Sequence, residues 1–174
     1  PAVYLLDHNC KTKWGPVNMK NLDPSDPYIG LGFRHQPIIA DIDGDGEMEI
    51  GVRGEGRFFS LDKNGALKQT YVLPNEYPDS STATVFDLNG DGKPELLIYA
   101  NQSFRIFDGK SGTLLYSESL PSGGMFNTEP NVIVADVDGD GKAEIIVVSR
   151  VGVRVYQSGN ADWVGSRKIW NQFD

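Results

Sequence analysis

Three short stretches of this chain alternate oxygen-bearing side chains, mostly acids, over their first five residues and end in glutamate: Asp41-Ile42-Asp43-Gly44-Asp45-Gly46-Glu47-Met48-Glu49, Asp87-Leu88-Asn89-Gly90-Asp91-Gly92-Lys93-Pro94-Glu95 and Asp136-Val137-Asp138-Gly139-Asp140-Gly141-Lys142-Ala143-Glu144. Each places a side-chain oxygen at positions 1, 3, 5 and 9 of the stretch and glycine at position 6. Short acids alternating on a tightly turning backbone aim their oxygens at one centre, and glycine allows the turn. Such a donor set suits a hard cation. Calcium takes six to eight oxygens at about 2.3–2.6 Å, and the carbonyl of position 7 (Glu47, Lys93 or Lys142) would complete the shell. Magnesium fits less well, because it demands stricter octahedral geometry and keeps its waters. Carboxylates packed this closely repel one another unless a cation sits among them. The plain alternative is a set of solvated acidic turns, and three copies in one structural position weigh against it. The expectation is about three calcium sites.

An EF-hand begins in the same way, but it needs a glutamate at position 12 and a helix on either side. Here position 12 is Val52, Ile98 or Val147. The closing acid comes three places early, and strand-like sequence follows it.

The loops belong to a repeat. Asp41, Asp87 and Asp136 open successive copies, spaced 46 and 49 residues apart, about the length of four short strands with their turns and of one propeller blade. Around each loop, β-branched and aromatic residues are bounded by Gly, Asn, Asp and Pro, and helical spacing is almost absent. The first full unit reads as strands at 36–41, 49–53, 57–61 and 67–73, with Asn64-Gly65 supplying the tight last turn. The second reads as 83–87, 95–100, 104–107 and 114–117, and the third as 132–136, 144–149 and 153–156, with a fourth strand expected somewhere in 163–170. Residues 2–7 and 13–17 resemble the last two strands of a preceding unit.

The expected fold is therefore all-β, made of β-propeller blades of four-stranded antiparallel sheets. One propeller region covers 1–174, with a partial blade at 1–21 and blades at 34–74, 82–120 and 130–174. About three and a half blades is fewer than the smallest closed propeller holds, so the remaining blades are expected from the same protein or a partner. Irregular stretches at 22–33 and 119–129 join one unit to the next, where a ligand would be read.

Composition narrows the function classes. With 16 Lys plus Arg against 24 Asp plus Glu, the formal charge is −8, which argues against nucleic acid as a partner. Cys10 is the only cysteine, so no internal disulfide forms and no Cys/His metal site is available. No apolar run approaches the roughly 20 residues of a membrane helix. The chain opens at Pro1 without an apolar leader, which is read as trimming of a longer product. Bound calcium as the fold's staple favours an extracellular or cell-surface location.

His8 and His35 are the only histidines, and no nucleophile, zincin or phosphate-loop motif accompanies them. No catalytic residue is assigned. Trp14, Trp163, Trp170, Tyr28, Tyr77 and Phe126 would stack on sugars if exposed, though packing between blades is the commoner use of such rings. Asn101-Gln102-Ser103 fits a glycosylation sequon, a pattern short enough to arise by chance.

The pattern Asp-x-Asp/Asn-x-Asp-Gly-x-x-Glu before an apolar strand resembles the FG-GAP or VCBS repeats, whose relatives include the propellers of integrin α subunits. The ending Ser166-Arg167-Lys168-Ile169-Trp170-Asn171-Gln172-Phe173 is similar to segments that follow such repeats in large bacterial secreted proteins. The resemblance implies that each loop joins the first two strands of a blade and holds calcium on one rim. It implies a non-catalytic binding or adhesion module presenting inter-blade loops to a protein or glycan. The alternative is the propeller portion of a secreted polysaccharide-active lyase or hydrolase, since such folds host catalytic sites as readily as binding sites.

Overall fold

The computed structural model describes residues 2–25, 36–54, 56–73, 82–100, 102–120, 131–149, 152–160 and 163–166. Its strands are β1 (Ala2–Leu6), β2 (Thr12–Asn18), β3 (Ile38–Ala40), β4 (Glu49–Arg53), β5 (Arg57–Leu61), β6 (Leu67–Val72), β7 (Thr82–Phe86), β8 (Glu95–Ala100), β9 (Ser103–Asp108), β10 (Leu114–Ser119), β11 (Asn131–Ala135), β12 (Glu144–Ser149) and β13 (Gly152–Tyr156). They form a β1-β2 hairpin, two four-stranded meanders, β3-β4-β5-β6 and β7-β8-β9-β10, and a three-stranded meander, β11-β12-β13. Every pairing is antiparallel. The chain is all-β apart from one helical turn, and its two four-stranded antiparallel sheets are those of propeller blades.

Each acidic loop joins the first two strands of its sheet, and the ladders repeat in register. Ala40 pairs with Glu49, Phe86 with Glu95 and Ala135 with Glu144. The closing glutamate of the motif is thus the first residue of the second strand, opposite the residue that precedes the loop.

The sheets stack face to face, which is why their central strands are apolar on both sides rather than alternating with polar residues. On β8, Leu96 and Ile98 pack with Ile42, Phe58, Tyr71 and Phe107 toward the preceding sheet. Leu97 and Tyr99 pack with Leu88, Phe104, Val132 and Ile145 toward the following one. A third cluster of Met19, Val52, Phe59 and Leu61 joins the β1-β2 hairpin to the first full sheet. Each fully buried Leu, Ile or Phe contributes on the order of 1.5–3 kcal/mol, an upper figure because unfolded chains already bury some of this surface.

Specific contacts lock one sheet to the next. Tyr71, fully buried, stands edge-on to Phe58 and Phe107 with ring centroids 5.8 Å away in both cases, and its hydroxyl donates to the Gly109 carbonyl. Burial pushes the Tyr71 phenol well above the ordinary tyrosine range. Gly109 also donates to the Pro94 carbonyl at 3.0 Å, and a Cβ there would run into the carbonyls of Ile42 and Pro94. Between the second and third sheets, the Thr84 hydroxyl donates to the Val132 carbonyl at 2.6 Å. Trp14 is used the same way: its indole donates to the Lys63 carbonyl at 2.8 Å, and its ring closes over Gly65 in the last turn of the first full sheet.

Two segments stand apart from the repeated sheets. The stretch 163–166 is not a strand. Val164 instead donates to the Leu88 carbonyl at 2.8 Å and accepts from the Ala143 amide at 2.9 Å, so its peptide groups are spent between two loops and cannot pair along β13. A fourth strand is expected somewhere in 163–170, and residues 167–170 lie outside the described residues. The leading hairpin also ends in a one-turn helix, α1 (Met19–Leu22), started by the Asn18 side chain, which accepts from the Lys20 amide at 3.0 Å. The expected inter-unit stretches at 22–33 and 119–129 fall mostly outside the described residues.

Candidate metal centres

The three loops share one backbone geometry. Glycine at position 4 (Gly44, Gly90, Gly139) and at position 6 (Gly46, Gly92, Gly141) takes a positive φ between 72° and 90°, a region costly for other residues. The requirement at position 4 is additional to the one at position 6 expected from the motif.

The acids are ordered by backbone amides in a repeated pattern. At position 1, Asp41 accepts from Asp45 and Gly46 at 3.0 and 2.9 Å, Asp87 from Gly90 and Gly92 at 2.8 Å each, and Asp136 from Gly139 and Gly141 at 2.7 and 3.1 Å. At position 3, Asp43, Asn89 and Asp138 accept from the position-5 amide at 3.2, 2.9 and 3.0 Å. At position 5, Asp45, Asp91 and Asp140 accept from the position-7 amide, each at 2.8 Å. At positions 3 and 5 these bonds go to Oδ1 and leave the second side-chain atom for other contacts.

The closing glutamate has a use that the motif alone did not show. Glu49, Glu95 and Glu144 are all buried, and in each the Oε2 oxygen accepts from the amide at position 2 (Ile42, Leu88, Val137) at 2.8 Å. One oxygen staples the start of the loop to its end, and Oε1 remains for a cation. Burial, followed by the nearby Asp87, Asp91 and Asp108 charges, raises the Glu95 carboxyl above the ordinary glutamate value. A cation beside it would offset those contributions.

The donor chemistry fits a hard cation. Asp41, Asp43 and Asp45 present oxygens that lie within 4.8 Å of one another, and so do Asp136, Asp138 and Glu144. Oxygens that close can share a centre about 2.3–2.6 Å from each. The middle loop carries Asn89 at position 3, so Asp87, Asp91 and Glu95 supply its charge. The position-7 side chains vary, as expected of residues entering through a carbonyl. Glu47 pairs with Lys63 at 2.5 Å, and Lys93 reaches Asp91 at 3.4 Å.

The loops differ in what enters them. In the first, Lys68 Nζ, carried on β6, lies 2.7 Å from Asp43, 2.5 Å from Asp45 and 3.1 Å from Glu49. Partial burial works against its charge, but these three carboxylates outweigh it and hold the ammonium well above the ordinary lysine range. The Lys68 hydrogen bond in turn leads the effects that lower the Asp45 carboxyl. In the third loop a neutral amide enters instead, Gln157 Nε2 donating to Asp138 Oδ2 at 2.9 Å.

These three loops, each opening a β-meander, coincide with matches to the model of the FG-GAP-like repeat at residues 41–98 and 87–147. The chain belongs to the FG-GAP-like repeat family. Among solved structures, it is similar to the Vibrio cholerae biofilm matrix protein Bap1, with 28% identity and a TM-score of 0.57, over 72% of this chain and 22% of that one. It also shares the fold of BBS1N from its complex with ARL6DN, with 15% identity and a TM-score of 0.51, over 80% of this chain and 45% of that one. The chain spans less than half of either structure's length. No curated protein matches significantly. No helix among the described residues is long and apolar enough to cross a membrane.

Of the aromatic residues considered for sugar stacking, Trp14 is engaged with Lys63 and Gly65, and Trp163 packs against the cluster between the second and third sheets. Tyr28, Tyr77, Phe126 and Trp170 lie outside the described residues.

Proposed function

We propose that this chain is a calcium-stabilised extracellular binding module, a run of propeller blades whose rim loops bind the ion and whose inter-blade loops meet a protein or glycan. The observation that carries the reading is the threefold recurrence of one acidic loop with the same glycine turns and the same amide-to-carboxylate bonds. Backbone amides take both oxygens of the position-1 aspartate, Oδ1 at positions 3 and 5 and Oε2 of the closing glutamate, and carboxylate oxygens gather within 4.8 Å of one another in the first and third loops. When bound, calcium supplies positive charge that relieves the repulsion among these acids. Asp87, Asn89, Asp91 and Glu95 would hold it in the second loop, and Asp136, Asp138, Asp140 and Glu144 in the third, each with the position-7 carbonyl. Kinship to FG-GAP-like repeats and the matrix location named for Bap1 support placement outside the cell.

The last sheet supports continuation into further blades. Val137, Val153 and Val155 are exposed on it, whereas Ile42 and Leu88, the counterparts of Val137, are buried against the next sheet. A following blade of the same protein would cover that face.

Calcium that binds only the folded state stabilises it by mass action, about 1.4 kcal/mol per site at a tenfold excess over Kd, and extracellular modules often bind at about 10⁻⁴–10⁻³ M. Chelation is expected to lower the melting temperature and added calcium to restore it. An unchanged melt, together with purified protein free of calcium, would sink the reading. A glycan panel tests the display surface: retention without product supports a binding module, whereas cleavage of the glycan overturns it.

A further inference from the structure

We propose that the first acidic loop is held together by the chain's own Lys68 ammonium in place of a divalent ion, so that the repeats comprise one self-neutralised loop and two ion-taking loops. The inference rests on the calcium reading only for those other two loops. Lys68 Nζ meets Asp43 Oδ2, Asp45 Oδ2 and Glu49 Oε1. These are the oxygens left over after backbone amides have taken Asp43 Oδ1, Asp45 Oδ1 and Glu49 Oε2. A calcium ion in this loop would need the same atoms. An ammonium within 2.5–3.1 Å of all three stands where that ion would stand, and two cations cannot share one oxygen cage without strong repulsion.

The ladder registers show that this is a property of position and residue type. Leu67 pairs with Leu61 at the start of β6, and Leu114 pairs with Phe107 at the start of β10. The next residue is Lys68 in one sheet and Leu115 in the other. Leu115 is exposed and brings no charge to the second loop. There the available lysine, Lys93, touches Asp91 alone at 3.4 Å and is 65% exposed, against 25% for Lys68. In the third loop Gln157 offers a neutral amide. Only the first loop, among the described residues, has an ammonium delivered from a strand into the centre of the acids.

The test counts ions per chain by equilibrium dialysis with calcium, alongside thermal melts in chelator. Asp43→Asn in the first loop is expected to leave the count unchanged, while Asp138→Asn in the third lowers it by one. Lys68→Gln, which keeps the length and a donor but removes the charge, is expected to gain one ion and to melt lower in chelator, with the loss recovered when calcium is added. Loss of an ion in Asp43→Asn overturns the inference, and so does a folded Lys68→Gln that gains none. Should Lys68→Gln gain an ion while Asp138→Asn loses none, the calcium reading of the third loop fails and the assignment of Lys68 stands.

Discussion

The middle sheet and the last sheet are written in nearly the same residues, yet they are buried to different degrees. On β8, Leu97 and Tyr99 face the following sheet and are 0% and 4% exposed. Their counterparts on β12, Ile146 and Val148, are only partly buried. Leu88, at position 2 of the second loop, is 5% exposed, and Val137, at the same position of the third, is 54% exposed. Among the described residues the first three strands of the two sheets pair alike, so the difference lies in what covers the outer face and not in the strand. A blade specifies its own hydrogen bonding, but its two apolar faces acquire their stabilising value only when sheets flank it on both sides.

That contrast can be tested directly. The largest effect is expected from Leu97→Ala, which empties a fully buried site and should cost about 2–5 kcal/mol in chemical denaturation. Ile146→Ala should cost less than half as much. In a longer chain carrying the next unit the two should converge, and continued inequality there would break the comparison. Next, Glu95→Ala and Glu144→Ala, measured in chelator, should each cost about 1–3 kcal/mol by orphaning the Leu88 or Val137 amide. Similar losses would show that the staple works independently of stacking. Smaller again, Gly92→Ala and Gly141→Ala have open space but φ of 79° and 90°. Each should cost about 1–2 kcal/mol of backbone strain, the same in both sheets, read as a shift in melting temperature.

The smallest expected effect concerns Glu118, which joins the outer strands of the two sheets. It accepts from Tyr156 and Tyr116 at 2.8 and 2.9 Å and pairs with Arg154. Hydrogen bonds from Tyr156 and then Tyr116 lead the effects that hold its carboxyl below the ordinary glutamate value. The folded state therefore releases this proton more readily than the unfolded chain. The stabilisation is present above the ordinary value and is lost as pH falls through the lowered folded one. Melts of wild type and Glu118→Gln should differ near neutrality and converge on acidification. A gap that is constant with pH would remove Glu118 from the tether.

Much of this architecture could be read from the chain because its determinants are local. The acidic loops, the strands at 49–53, 57–61, 95–100 and 144–149 and the Asn64-Gly65 turn each lie within a few residues of their cause. What escaped reading depends on contacts distant in sequence. Lys68 enters the first loop 19 residues beyond Glu49, placed there by the register of β6 and not by any spacing in the motif. The staple by Glu49, Glu95 and Glu144 needs both ends of the loop in view, although its recurrence at the edge of an apolar strand was a usable signal. The use of Trp163 and Val164 also needs the folded chain in view, since their partners are a core cluster and two rim loops.

Val164 merits a last consequence. One amino acid, hydrogen-bonded on one side to Leu88 and on the other to Ala143, with its methyl filling the space over Gly90, acts as a spacer between adjoining rims. Both tethers are backbone hydrogen bonds, so a peptide unit spans the gap between the rims and only the pad over Gly90 depends on the side chain. Trimming Val164 to glycine thus strips the pad from the second rim and leaves the crosspiece between the two in place.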